Sequence, residues 1–256
     1  MHRYFFTTKD TFINSGSDSI TGEDFKDKNT GQDEILELKK VFFDRTFSYQ
    51  TRVLLQFDVD EIESYISSSV LPSDYQLNLR LYETEGTSGL SEEYTIAAYP
   101  LSQSWDEGIG KEGDVPKTTE GCSWAFSKNN QGVEVKWNAY SSSISSSVDE
   151  GGDTINTTST FTSSFVDGNQ ISEGSFIEDD EATQVFSTES PDLNMDITTI
   201  ANKWFGGVNE NYGLMLRLSG SRETSSTSFE DIKFFSRQTN TIYSPKIELK
   251  WDDHLP

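Results

Sequence analysis

The feature that most limits the fold of this chain is the alternation of apolar and polar residues in several short segments. In "RVLLQFDV", the side chains of Val53, Leu55, Phe57 and Val59 fall on one face of an extended strand. A period of two is typical of a strand with one buried face, whereas buried parallel strands read as continuous apolar runs. We therefore predict antiparallel sheets packed face to face. The same alternation recurs in "YQLNLRLYE" (Leu77, Leu79, Leu81), "GVEVKW" (Val133, Val135, Trp137), "GLMLRLSG" (Leu214, Leu216, Leu218) and "KIELKW" (Ile247, Leu249, Trp251).

Helical patterns are scarce. "DVDEIESYISSSV" predicts one short turn or helix after the strand at 53–59. "DITTIANKWFGG" predicts a second helix, capped by Asp196 or Thr198 and ended by Gly206-Gly207. Its apolar residues share one face, which we expect to close one end of a sandwich. These residues are Ile197, Ile200, Ala201 and Trp204.

These patterns predict an all-β fold, an antiparallel two-sheet β-sandwich of jelly-roll type with one or two short helices. A length of 256 residues fits one such domain, so we predict a single domain over residues 1–256. Residues 141–165 are rich in Ser and Thr, which suits either a disordered linker or strands with interspersed aromatic residues. We predict a long Ser/Thr-rich insertion within the domain at about 138–190, and the linker is the alternative.

Acidic residues outnumber basic ones by 43 to 20, which gives a formal net charge of −23. Such a surface repels phosphate backbones, which proteins bind through Lys and Arg. We therefore expect neither nucleic acid nor an anionic membrane as a partner. The charge fits solubility alone, or contact with a more basic protein.

Cys122 is the only cysteine, so no disulfide can form within the chain. "MHRYFFTTKDTFINSG" lacks the apolar core of a signal peptide, and no stretch has the roughly 18 apolar residues of a membrane helix. We expect a protein made in the cytoplasm without an export signal and stabilised by a conventional core.

The segment "SWDEGIGKEGDVP" contains glycines at 108, 110 and 113, spaced as in a dinucleotide-binding loop. That motif requires an apolar strand before it and a helix after it. Trp105-Asp106-Glu107 precedes the glycines here and Pro116 follows them, so we expect no cofactor at this loop. A calcium site built from Asp106, Glu107, Glu112 and Asp114 is the alternative to a solvated turn, because calcium binds six to eight oxygens. No EF-hand spacing accompanies these carboxylates, and the solvated turn is the favoured interpretation.

No constellation of residues points to catalysis. The only histidines are His2 and His254, and no Gly-x-Ser-x-Gly elbow is present. Zinc sites need several Cys or His ligands, and Cys122 in "EGCSWAF" is typical of a small core residue. The acidic residues supply many candidate carboxylate pairs for a glycosidase, but no pattern selects one. We expect a protein that is not an enzyme, with no catalytic, cofactor or metal residues.

Several motifs in order resemble the DNRLRE-type domain, a family similar to carbohydrate-binding-module sandwiches. They are "KDTFINSG", "TRVLLQFDVDEIESYISSSVLPSDYQLNLRL", "SWDEGIGKEGDVP", "GCSWAF", "VKWNAY", "DEGGD", "MDITTIANKWFGGVNENYGLMLRL" and "IKFFSRQTNTIYSPKIELKWDD". The resemblance covers nearly the whole chain, although the segment from 138 to 190 is longer and richer in Ser and Thr than the family pattern.

The resemblance implies that the tryptophans at 105, 124, 137 and 204 are framework residues. It also implies that the Trp-Asp-Glu-Gly turn ends a strand and that Asn211-Tyr212-Gly213 begins the strand of Leu214 to Leu218. On this resemblance the loop 104–121 shapes a turn, in which Gly108 and Gly110 allow positive φ and the carboxylates accept backbone N–H bonds.

Two function classes follow. The C-terminal "FFSRQTNTIYSPKIELKWDD" looks like the form of the family found in tailed-phage structural proteins, which implies a neck, collar, tail or head-decoration protein of a virion. Such a protein would form homo-oligomers and contact other virion proteins through loops such as 104–121 and 140–190. The alternative is a carbohydrate-binding module that adheres to polysaccharide through exposed aromatic rings. Tyr82, Tyr94 and Tyr99 are candidates for outward-facing rings, although the sequence does not place them on one surface.

Overall fold

A computed structural model of this protein describes residues 1–17, 24–43, 47–69, 75–84, 94–137, 147–148, 154–155, 161–166, 170–186, 192–219, 223 and 230–252. The strands are β1 (His2–Asn14), β2 (Ile35–Phe43), β3 (Phe47–Phe57), β4 (Tyr75–Leu81), β5 (Tyr94–Pro100), β6 (Phe126–Asn130), β7 (Val133–Lys136), β8 (Ser147–Val148), β9 (Thr154–Ile155), β10 (Phe161–Val166), β11 (Gln170–Ile177), β12 (Ala182–Phe186), β13 (Leu193–Asp196), β14 (Leu214–Leu218), β15 (Glu230–Phe235) and β16 (Lys246–Trp251). The helices are α1 (Val59–Ser69) and α2 (Thr198–Phe205).

The strands of the main sheet pair in the order β12-β5-β14-β3-β1-β16-β4-β13, and β2 joins β3 to β15. Every pairing is antiparallel, which confirms the prediction of an all-β sandwich with two short helices. Strand β1 belongs to both layers because its residues 2–6 pair with β16 and its residues 7–14 pair with β3. The register shifts between Thr7 and Lys9, where the strand passes from one layer to the other.

The predicted alternation fills the space between the layers. Leu77, Leu79 and Leu81 of β4 face Val53 and Leu55 of β3 across one apolar core, and all five side chains are buried. Ile247 and Leu249 of β16 and the three leucines of β14 join the same core. Removing this apolar surface from water is the main source of stability for such a fold.

A second core lies on the opposite face of β3 and β14 and contradicts the assumption of one buried face per strand. Leu54 of β3 and Met215 of β14 are fully buried there under the segment 101–125 and β11. Trp105, Trp124 and Trp137 are also buried in this second core. The residues on either side of Leu54 and Met215 in the sequence point into the first core. Both faces of these central strands are therefore buried.

The prediction for "GVEVKW" was wrong in part. Within the described residues, strand β7 pairs only with β6, in a two-stranded sheet outside the main sheet, and Val133 and Val135 are 70% and 42% exposed. Trp137, which follows the strand, is buried in the second core, where its Nε1 donates to the Ser123 carbonyl at 2.9 Å. The alternation of apolar and polar residues in this short hairpin strand therefore does not correspond to a buried face.

Helix α2 packs Ile200, Ala201 and Trp204 against the first core, as predicted. It begins at Thr198, with Ile197 in the N-cap position and no side-chain capping bond from that residue. The Asp196 carboxylate accepts the Thr198 backbone N–H at 2.9 Å. Val59, predicted as the last residue of a strand, instead begins helix α1.

Much of the predicted insertion at 138–190, including residues 156–160, lies outside the described residues. Its described C-terminal part belongs to the sandwich, because β12 pairs with β5 along the edge of the main sheet. Phe176 of β11 forms a bridge to Leu101 and packs in the second core.

Candidate functional site

Three consecutive aromatic residues in β1 place rings on both sides of the sheet. Phe5 points into the first core, whereas Tyr4 and Phe6 are 40% and 55% exposed on the outer side. Neighbouring side chains of a strand point to opposite faces, so this run of rings cannot be buried on one side alone.

The outer rings of β1 are part of a continuous patch that we call the aromatic face. Tyr243 lies 5.2 Å from Tyr82 between ring centroids, and it stacks on Phe235 at 5.6 Å with an interplanar angle of 23°. The Tyr243 ring is 43% exposed, and Tyr82 and Phe235 are half-buried. The aromatic face consists of Tyr4, Phe6, Tyr82, Phe235 and Tyr243.

Lys246 of β16 holds the centre of the aromatic face. Its Nζ lies 4.9 Å from the Tyr4 ring centroid, 5.7 Å from that of Phe6 and 4.7 Å from that of Tyr82. The same Nζ donates a hydrogen bond to the Ile242 carbonyl at 3.2 Å. An ammonium group within about 6 Å of aromatic rings is attracted by their π electrons, so Lys246 fixes these rings relative to one another.

A row of polar side chains adjoins the rings. The strand register places Glu248 opposite Tyr4 on one side and opposite Asn78 on the other. Arg80 NH1 and Lys250 Nζ lie 3.3 and 3.4 Å from Glu248 Oε2. The Asn78 side chain is buried, and within the described part of the chain its Nδ2 has no hydrogen-bond partner. The row therefore combines charge with a donor that is left unpaired.

The Tyr4 hydroxyl donates to Glu248 Oε1 at 3.4 Å. Partial desolvation, followed by the negative charge of Glu248, raises the pKa of the Tyr4 phenol above its usual value. Tyr4 therefore stays a neutral donor at physiological pH and joins the aromatic face to the polar row.

The sequence identified one member of this face among its three candidate tyrosines. Tyr82 lies in the face, but Tyr99 is buried in the second core with its hydroxyl donating to Glu181 at 2.6 Å. The side chain of Tyr94 lies outside the described residues. The run Tyr4-Phe5-Phe6 was the signal that sequence reasoning missed. The His2 ring lies 5.1 Å from the Tyr4 ring between centroids and is tilted by 52° to it, and His254 lies outside the described residues.

The loop 104–121 has a structural role in the fold. Residues 102–125, all described, contain no helix or strand, and the preceding strand β5 ends at Pro100, five residues before Trp105. The loop wraps the buried amide of Asn29, which donates from Nδ2 to the carbonyls of Glu107 and Cys122, each at 2.8 Å. Its Oδ1 accepts from the Gly110 N–H at 2.8 Å. Gly108 has a φ of +82°, whereas positive φ is not found at Gly110.

The four loop carboxylates point to separate partners. Asp106 faces Lys128 at 3.7 Å, Glu112 faces Lys39 at 3.7 Å, and Asp114 accepts the Lys111 N–H at 2.9 Å. Glu107 binds Arg237 through two hydrogen bonds of 2.7 and 2.6 Å. Among the described residues, no three Asp, Glu, His or Cys side chains are placed to share a metal ion.

Cys122 is fully buried in the second core. Burial, with the nearby Asp106 carboxylate, raises the pKa of its thiol above the usual value. The thiolate is the reactive form of cysteine, so this residue behaves as a small apolar side chain.

Comparison with protein-family models gives no match to this chain, and comparison with curated proteins gives none. The likeness to the DNRLRE-type domain is therefore a resemblance of motifs only. Among the described residues, no helix is both long and apolar enough to cross a bilayer.

Proposed function

We propose that this chain is a structural, non-enzymatic component of a bacteriophage virion, such as a neck, collar, tail or head-decoration protein, that acts through protein–protein contacts. The observation that carries the proposal is the aromatic face on an ordered sheet. Tyr and Phe are enriched at protein interfaces. Single exposed apolar residues are common on any protein surface, whereas a contiguous patch of them marks an interaction site.

The loop 104–121 adds a second contact region. It carries Ile109, 65% exposed, and Val115, 92% exposed, on a segment held down by Asn29. Contacts made by well-anchored loops cost little conformational entropy on binding, which suits a building block of an assembly. The other proposed contact loop, 140–190, lies mostly outside the described residues.

A second candidate function is carbohydrate binding, and the polar row beside the aromatic face favours it. Sugar rings stack their apolar faces on aromatic side chains while their hydroxyls need donors and acceptors nearby. The aromatic face offers rings, and the Tyr4 hydroxyl and the partly exposed side chains of Arg80 and Lys250 offer polar groups beside them. The two functions are compatible in a virion fibre.

Mass spectrometry of purified phage particles, compared with the soluble lysate, tests the main proposal. We expect the chain at stoichiometric copy number in intact particles. Detection only in the soluble fraction would contradict the virion proposal and leave carbohydrate binding as the stronger candidate.

A variant pair then tests the aromatic face itself. Tyr4→Ala/Phe6→Ser removes two exposed rings, and Val133→Ser/Val135→Ser removes two exposed aliphatic side chains from β7. For the virion function, we expect only the first variant to lose oligomerisation, measured by light scattering, or incorporation into particles. For the carbohydrate function, only the first should lose retention on a polysaccharide column.

A further inference from the structure

A cleft of about 470 Å³ opens at the end of the sandwich where helices α1 and α2 meet strands β1 and β3. It is separate from the aromatic face, because none of the five aromatic-face residues lines it. We call it the acidic cleft. Its lining residues include Asp58, Asp60, Glu63, Glu210, Phe57 and Trp204.

Negative charge dominates the mouth of the acidic cleft. Asp58, Asp60, Glu63 and Glu210 are all exposed there. Within the described chain, no ion pair involves any of these four carboxylates. Lys9 is the one basic residue in the lining, and its Nζ donates to the Trp105 carbonyl at 3.1 Å. The cleft therefore attracts a cation.

The wall of the cleft is apolar and contains an unpaired donor. Phe57 and Val59 are buried behind the carboxylates, and Trp204 is more than nine-tenths buried beside them. The indole Nε1 of Trp204 is buried and has no acceptor among the described residues. A ligand that combines a cation, an aliphatic stem and a carbonyl oxygen would satisfy every part of this lining.

The frame around the cleft is held in place by its own hydrogen bonds. Asn211 Nδ2 donates to the Phe57 carbonyl at 2.9 Å, and Gln56 Nε2 donates to the Asn211 carbonyl at 3.2 Å. Asn209 Nδ2 donates to the Asp180 carboxylate at 2.6 Å. The amide donors of the lining are thus already used, and Asp58 Oδ1 accepts the Glu61 N–H at 3.0 Å at the start of α1. The carboxylates of Asp60, Glu63 and Glu210, the second oxygen of Asp58 and the Trp204 indole are left for a ligand.

We propose that the acidic cleft binds an arginine- or lysine-bearing peptide segment of a partner protein. The basic side chain lies along Phe57 and Trp204 with its charge between the carboxylates, and a main-chain carbonyl of the segment accepts from Trp204. A volume of about 470 Å³ is at the scale of a small ligand site, so it holds one or two side chains. This inference rests on the proposed structural role and names the chemistry of one partner.

Fluorescence anisotropy with a fluorescein-labelled tetra-arginine peptide in about 0.15 M salt tests the cleft, since this salt screens distant charges beyond about 8 Å. The test variant is Asp60→Asn/Glu63→Gln. The matched control is Asp231→Asn/Glu134→Gln, which removes the same two charges from exposed strand positions outside the cleft. We expect the test variant to weaken binding at least fivefold and the control less than twofold.

No binding by the wild-type chain would overturn the proposal. Equal weakening by both variants would overturn it as well, because it would show that the peptide is attracted to the whole acidic surface. Trp204→Phe replaces the indole with a smaller ring that lacks the N–H, and we expect a two- to fivefold loss of peptide affinity. Since Trp204 is buried in the first core and the smaller ring leaves a cavity, binding is compared at a temperature at which circular dichroism shows both chains to be folded. These measurements use the purified chain and no virion. A negative result here is therefore distinct from failure to find the chain in particles.

Discussion

Gly108 lies so close to Asn29 that a β-carbon on Gly108 would stand 2.3 Å from the Asn29 Oδ1 and 2.3 Å from the Glu120 carbonyl oxygen. Its φ of +82° is also a conformation that other residues rarely adopt. Glycine is therefore required at position 108, because the backbone there packs directly against the Asn29 amide and the Glu120 carbonyl.

Gly108→Ala should therefore destabilise the fold by about 3 kcal/mol or more, since overlap adds to backbone strain. Gly113→Ala is the control, because a β-carbon there meets no atom within 4 Å. Its effect should stay within about 0.5 kcal/mol. Urea unfolding measures both, and equal stability of the two variants would contradict this account of the loop.

Asn29→Asp tests the amide without changing its shape. It replaces two donated hydrogen bonds with a buried carboxylate facing the carbonyl oxygens of Glu107 and Cys122. We expect a loss of about 3 kcal/mol or more at pH 7. The loss should shrink as the pH falls to 4, because a protonated carboxyl can donate one hydrogen bond again. A loss below about 1 kcal/mol at pH 7 would show that the donors of Asn29 contribute little.

Asp10 makes the stability of the wild-type fold depend on pH. It is buried, its Oδ2 accepts the Arg237 N–H at 2.6 Å, and its Oδ1 has no partner within the described chain. Burial, in excess of the opposing hydrogen bond from Arg237, raises the pKa of Asp10 to about 7. The folded state then binds a proton more tightly than the unfolded state, whose pKa is near 3.8.

The stabilisation that this proton adds to the free energy of unfolding is fully present below pH 4 and is lost as the pH rises through about 7. A shift of this size corresponds to roughly 4 kcal/mol. Asp10→Asn should therefore be more stable than the wild type at pH 8 and should flatten the stability profile between pH 4 and 7. Asp33, whose pKa burial raises to about 6, adds a change of stability in the same direction over a narrower pH range. Thermal unfolding across this range measures the difference, and an unchanged slope in Asp10→Asn would contradict it.

Much of the first core was predictable from the sequence because a period of two has a direct physical meaning. Leu77, Leu79 and Leu81 could face only one side of a strand, and the structure buries all three. The second core was not predictable in this way. Leu54 and Met215 are apolar residues between apolar neighbours, and whether their face is covered depends on where the segment 101–125 packs.

The candidate binding surfaces were harder to predict for a related reason. Tyr99 lies in β5 and Tyr82 directly follows β4, yet Tyr82 joins the aromatic face whereas Tyr99 is covered by Phe176, 4.8 Å away between ring centroids. The acidic cleft brings together residues near positions 9, 57, 60, 204 and 210. In a chain with 43 acidic residues, no local pattern marks the few that converge.

Glu223 offers the strongest test of the second core. Its carboxylate accepts from Arg52 Nε at 2.7 Å and also pairs with Arg217, and all three side chains are largely buried. The Arg52 guanidinium lies 5.0 Å from the Trp124 ring centroid and that of Arg217 lies 5.3 Å from the Phe176 centroid. The two cations are therefore held against aromatic rings with Glu223 as a shared counter-charge.

Glu223→Gln removes that counter-charge while keeping the side-chain shape. Removing one partner of a buried ion pair typically costs about 3–5 kcal/mol, because the remaining charge stays desolvated. Glu34→Gln is the control, since its pair with Lys111 at 3.3 Å is exposed and should cost less than about 1 kcal/mol. Chemical denaturation at pH 7 compares the two. A cost for Glu223→Gln no larger than that of the control would mean that water reaches the two guanidinium groups and that this side of the second core is not dry.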